Sequence, residues 1–176
     1  MSKEDSSPKK KTKAPVDNYT TRSISFGGQT YRYSDITKVH PALKSFLCYG
    51  LNKVAYRKKL ELEKALDPMG VHAIHIGVMR IVNESGDITQ NQIADEVGLD
   101  KATMVKVVDH LQNMGLMKRI QNQKDRRANF ISLTDKGEKF LTKAMKISDA
   151  VESSFFDKLS AQEVKTLREL ITRLLD

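Results

Sequence analysis

Between Ile88 and Leu133 the chain concentrates side chains able to hold a polyanion. Lys101, Ala102, Thr103, Val105 and Lys106 are spaced to share the first two turns of one helix. There a lysine can donate to guanine or to a phosphate, a threonine to a base or the backbone, and a small apolar group can touch a thymine methyl. Further on, Lys124, Asp125, Arg126 and Arg127 crowd a polar run flanked by Lys118 and Arg119. A guanidinium is drawn into a minor groove narrowed at A·T steps. An aspartate two residues before Arg127 can aim it through a bidentate pair.

These residues need elements that present them. Thr89 and Gln92 form a capping box that opens a helix, with Thr89 and Gln90 at its mouth among the candidate DNA contacts. Gly98 closes that helix and Asp100 caps the next, which runs from Lys101 to Met114 and stops at Gly115. Met104, Val107, Val108 and Leu111 recur at helical spacing and should face the core, leaving the lysines outside. Two strand-like runs follow, Met117–Gln121 and Asn129–Leu133, joined by the charged run. A helix-turn-helix beside a basic hairpin places one element in the major groove and the other in the minor groove.

The rest of the chain reads as support. A long helix is expected from about Pro41 to before Pro68, and a second over His72–Glu84 with Ile74, Val78, Ile81 and Val82 as its core face. After the hairpin, Thr134 caps a helix bearing Phe140, Ala144, Ile147, Val151 and Phe155. Ser160 and Glu163 open a final amphipathic helix. Upstream, Ser23–Phe26 and Gln29–Tyr33 flank Gly27-Gly28, a hairpin signal.

The net charge is +8, which points to a polyanion partner. Residues 1–22 are lysine-rich and poor in apolar groups, so a disordered basic tail is expected there, then a short extension over 23–36 and the main domain over 37–176. A single cysteine, Cys48, excludes an internal disulfide. No run is long enough to span a bilayer, no apolar stretch follows the N-terminal lysines, and a cytoplasmic location is expected. A Gly-rich phosphate loop, a nucleophile elbow and a paired His/carboxylate constellation are all missing from the sequence pattern, so neither an enzyme nor a bound cofactor is expected.

Taken together, Ile88–Asp100, Thr103–Leu111, Gly115-Leu-Met-Lys-Arg119, Asp125-Arg-Arg-Ala128 and Leu133-Thr-Asp-Lys-Gly137 resemble the MarR family of winged-helix regulators. The resemblance covers roughly residues 40 to 175. It implies a mainly α fold with a small β-wing: a DNA-binding lobe over about 72–133 and dimerisation helices over about 40–66 and 135–176. It also implies a homodimer on a pseudo-palindromic operator, with Arg127 in a minor groove and Asp125 orienting it. Two features depart from the family pattern: Val105 stands where many members carry Ser or Thr, and the Met1–Asp35 extension is long.

The implied activity is repression relieved by a small anionic or aromatic effector. Tyr49, Tyr56, Arg57, His72, His75 and Arg80 are the candidate effector contacts. The alternative is a redox-sensing repressor of the same fold using Cys48, against the plainer expectation that this cysteine is buried and structural. His72 and His75 have helical metal-ligand spacing, but two residues do not close a tetrahedral shell, so no metal is expected.

Overall fold

A computed structural model describes residues 22–26, 29–33, 40–43, 45–121 and 129–176. The chain divides into two compact units, Met1–Val39 and His40–Asp176. In the first, β1 (Arg22–Phe26) and β2 (Gln29–Tyr33) pair antiparallel, from Arg22 opposite Tyr33 to Phe26 opposite Gln29. That register leaves two residues for the connection, the length the glycine pair suggests. The expected basic tail lies outside the described residues.

The second unit is built of helices around a small sheet. A 3-10 turn over Pro41–Leu43 precedes α1 (Leu47–Leu66). The helix therefore starts later than the apolar spacing from Pro41 suggests. Phe46 is extended (φ −84°, ψ 105°) and breaks the run. A turn over Asp67–Met69 ends α1, and α2 spans Ala73–Ser85. The short strand β3 (Ile88–Thr89) leads into α3 (Gln90–Val97) and α4 (Lys101–Asn113). The wing strands β4 (Met117–Gln121) and β5 (Asn129–Leu133) have the expected bounds. The chain closes with α5 (Asp135–Phe155) and α6 (Ala161–Leu175).

The sheet order is β3-β5-β4, all antiparallel, with Ile88 opposite Ile131 and Met117 opposite Leu133. Strand β3 was not foreseen, because two residues are too few to show an alternating pattern. On α2 the core face is also different from expectation. His75, Ile76, Val78, Met79 and Val82 are buried, while Ile74 and Ile81 are only half-buried. The four capping assignments hold: Thr89, Asp100, Thr134 and Ser160 each accept from the amide three residues on. Among the described residues, no helix is long and apolar enough to cross a membrane.

The buried apolar residues run from Leu60 to Ala144. Helix α6 buries none, and α1 buries only Leu60, Glu63 and Leu66. One close approach fixes how the lobe joins α5. Gly137 packs so tightly that an added Cβ would overlap the carbonyl oxygen of Leu116. Beside it, the Thr134 amide donates to that same carbonyl (3.0 Å), and the Thr134 hydroxyl donates to the Gly115 carbonyl (2.7 Å). The Leu-Thr-x-x-Gly run is thus a docking device, with a glycine where no side chain fits. Gly137→Ala is expected to destabilise the fold by about 1–3 kcal/mol through overpacking. A lowered urea midpoint with unchanged slope is the signature, whereas an unshifted midpoint would mean the contact is slack.

Candidate nucleic-acid interface

Helix α4 has two chemically distinct sides. Met104, Val107, Val108 and Leu111 are at most 2% exposed and pin the helix to the core. Lys101, Ala102, Val105 and Lys106 are exposed on the first two turns. Gly98 makes the turn between α3 and α4 possible, holding φ +68° where a side chain would be strained. Asp100 then caps α4, accepting from the Thr103 amide (2.9 Å) and the Thr103 hydroxyl (2.6 Å). Those two bonds hold the Asp100 carboxyl below its ordinary range, so it stays ionised. Thr103 is half-buried and its hydroxyl proton is committed to the cap. Thr89 is similar, its hydroxyl donating to Gln92 Oε1 (2.8 Å). Both threonines thus build helix starts.

Arg119 was counted among the hairpin cations, and the structure assigns it differently. Its guanidinium donates to Asp109 Oδ1 (2.6 Å), Gln90 Oε1 (3.1 Å) and Gln112 Oε1. One planar fork therefore joins the start of α3, the second half of α4 and strand β4. Gln90 is held by this fork. The three partners lie 7, 10 and 29 residues away in sequence, so no local pattern reveals the arrangement. Lys118 is exposed on β4. Lys124, Asp125, Arg126 and Arg127 lie outside the described residues.

The six candidate effector residues do not converge. Tyr49 lies 5.5 Å from the Lys53 ammonium, and Tyr56 is half-buried on the same helix. Arg57 pairs with Glu61 (3.1 Å) and sits 5.5 Å from the Phe155 ring. Arg80 is exposed and pairs with Glu84 (3.3 Å). The histidines turn elsewhere. His72 Nδ1 lies 2.7 Å from Glu63 Oε2, and the other Glu63 oxygen accepts from the Ala73 amide (3.1 Å). A His/carboxylate pair therefore exists that the sequence pattern did not show, bridging the turn between α1 and α2. His75 Nδ1 accepts from the His72 amide (2.9 Å), and its ring stacks on His110 of α4. Among the described residues, no group of three or more His, Cys, Asp or Glu could hold a metal ion.

Comparison with known proteins bears on this arrangement. The profile described as MarR family matches residues 75–128. The transcriptional regulator HosA of Escherichia coli is 31% identical over 99 residues, which are 56% of this chain and 73% of HosA. The chain belongs to the MarR family of DNA-binding transcriptional regulators. Its winged-helix fold matches the transcriptional repressor CouR bound to a 23-mer DNA duplex, at 22% identity and a TM-score of 0.73, over 79% of this chain and 99% of that one. CouR from Rhodococcus jostii RHA1 bound to p-coumaroyl-CoA is 26% identical with a TM-score of 0.66, covering 77% of this chain and 95% of CouR.

Two further features of this MarR-family chain lie away from α4. A cleft of about 340 Å³ lies between α1 and α5, lined by Glu61, Ala65, Ile147, Ala150, Val151 and Ser154. Cys48 is exposed, against the expectation of burial. Among the described residues nothing covers the first turn of α1, and Leu47 and Leu51 beside Cys48 are exposed too.

Two outcomes are expected. Arg119→Ala should cost about 1–2 kcal/mol of stability, the half-exposed Asp109 partner being screened by water. A urea titration checks this, and a null result would mean the fork holds nothing. The second concerns acid. Burial, then the neighbouring His110 and His72 rings, push His75 from 6.5 to about 3. The unfolded chain then binds more protons through that window, so stability is full above about pH 6.5 and is lost as pH falls towards 3. His75→Gln keeps an acceptor for the capping amide without a titratable ring. Its melting temperature should fall less between neutral and mildly acid pH than that of the wild type.

Proposed function

We propose that this chain is a homodimeric repressor that binds a pseudo-palindromic operator and releases it when a small anionic or aromatic effector binds. The carrying observation is the two-sided α4. Its buried stripe fixes the helix, and the exposed Lys101, Ala102, Val105 and Lys106 form a compact patch at its N-terminal end. That is the part of a recognition helix that meets base edges. Lys101 and Lys106 supply phosphate or guanine contacts, and Ala102 and Val105 suit thymine methyls. Arg126 and Arg127, with Asp125 and Lys124, serve the minor groove on the resemblance of their motif. The duplex bound to CouR supports this reading.

The second copy answers a packing deficit. Leu170, Ile171, Leu174 and Leu175 of α6 are exposed, as are Phe46, Leu47, Leu51 and Val54 at the start of α1. Apolar surface of that extent on terminal helices calls for a partner. Dimerisation would set the two recognition helices about 34 Å apart, one turn of B-DNA. The α1–α5 cleft, whose lining residue Glu61 pairs with Arg57, supports an effector site, and the p-coumaroyl-CoA held by CouR gives a precedent. An effector that prefers the DNA-incompetent state by ~2.7 kcal/mol lowers operator affinity about 100-fold. Exposure of Cys48 gives oxidants access and keeps the redox alternative distinct: only that version loses its oxidant response in Cys48→Ser.

The test is a fluorescence titration of the full chain against duplexes selected from a randomised library, with the mass of the free protein measured by light scattering. Arg127→Ala is expected to weaken binding by roughly 1–3 kcal/mol with the dimer intact, and Lys106→Ala to reduce the slope of log affinity against log salt by about one. A monomer that enriches no duplex would end this reading.

A further inference from the structure

We propose that a row of lysines on α5 is a second phosphate-binding surface, one that takes a separate segment of duplex while α4 holds the operator. The inference rests on the reading of α4 given above. Lys136, Lys139, Lys143 and Lys146 follow one another at steps of three and four residues, so they line one side of α5. All four are exposed, while Leu141 and Ala144 are buried on another side of the same helix. The row rises about 15 Å along the helix axis. Over residues 136–146 a single carboxylate, that of Glu138, stands against the four lysines.

The charges of this row are not balanced within the protomer. Elsewhere on the helices Arg57, Lys58, Arg80, Lys165 and Arg168 each have a carboxylate within 4.0 Å. Among the described residues no carboxylate pairs with Lys139, Lys143 or Lys146, although Asp135 and Asp149 stand one turn from the first and the last of them in sequence. Like charges one helical turn apart destabilise a helix. The row therefore works against α5 as an isolated element. It shares its state with Lys101 and Lys106 of α4, which are also exposed and, among the described residues, have no carboxylate partner. Cations repeated at every turn suit a chain of phosphates, which is bound through its charge and without regard to sequence.

Position decides which phosphates these are. Lys136 Nζ donates to the Met114 carbonyl (2.7 Å), which fixes the first member of the row at the C-terminal end of α4. The Lys101–Lys106 patch is at the opposite end of that helix. A helix that enters the major groove by its first turns leaves its last turn outside, since the groove is only about 8.5 Å deep. The row thus lies beyond the groove that α4 reads. Bringing phosphates of the same duplex to it requires bending the DNA around the lobe, at a cost in deformation energy. A second segment needs no bending, and it is the occupant the arrangement favours.

The experiment uses the full chain saturated with a selected operator duplex of about 25 base pairs, long enough for two half-sites one turn apart. A second duplex of random sequence, carrying a different dye, is then added, and energy transfer between the two duplexes reports a ternary complex. The wild type should form it at about 50 mM salt and lose it by about 200 mM. The combined Lys139→Gln, Lys143→Gln and Lys146→Gln variant should bind the second duplex about 10-fold or more weakly, with operator affinity within about 2-fold of the wild type. The three matching Lys→Arg changes should restore the ternary complex, which separates charge from any effect on folding. No ternary complex in the wild type, or one that survives the glutamine changes, would overturn the proposal. So would operator affinity that rises with flank length in the wild type but not in the glutamine variant, since the row would then grip the same duplex. Binding of poly-glutamate in place of the second duplex would assign the row to an acidic protein and overturn it too. Failure to enrich any operator is a separate result, and it removes the reading of α4 itself.

Discussion

Burial of one stripe on α4 governs the geometry of the whole lobe. Met104, Val107, Val108 and Leu111 leave almost no surface to water. At about 1.5–3 kcal/mol for each fully buried aliphatic side chain, that stripe far outweighs any surface ion pair in deciding the roll of the helix. Once the roll is set, the outward residues have no choice of direction. The Arg119 fork then fixes the remaining freedom, the tilt of α4 against α3 and β4. Sliding α4 by one residue would bring Val105 inward and turn Met104 out, so the hydrophobic pattern and the presented surface are a single constraint.

The features legible in the sequence were those written in short range. Capping boxes at Thr89 and Ser160, the Asp100 cap, the Gly98 turn and both wing strands depend on residues three or four apart, or on alternation, and all were recovered. What escaped depends on distance or on missing neighbours. The Arg119 fork and the Glu63–His72 pair join residues from different elements. His75 is a candidate effector contact by sequence, yet it is buried, with its ring stacked on His110 from a distant helix. Cys48 was expected inside, but the described protomer offers nothing to cover the start of α1.

The protomer is packed unevenly from end to end. Its interior is dense from Leu66 to Leu133, where the winged-helix elements meet, and thins towards both termini of the second unit. Helix α6 is tied to the rest of the protomer by an exposed ion pair, Arg168 with Glu152 (2.9 Å), and Glu152 also reaches Lys58 of α1 (3.6 Å). Exposed pairs contribute little, so they orient the terminal helices without supplying their stability. The terminal helices therefore rest on few buried contacts, whereas the winged-helix elements share one core.

The Asp100 cap has a consequence beyond opening a helix. It places an ionised carboxylate at the tip of the helix proposed to meet DNA, inside a chain of net charge +8. Where α4 meets a phosphate backbone, as proposed above, this charge would oppose any phosphate lying against the helix mouth, so the cap disfavours that register.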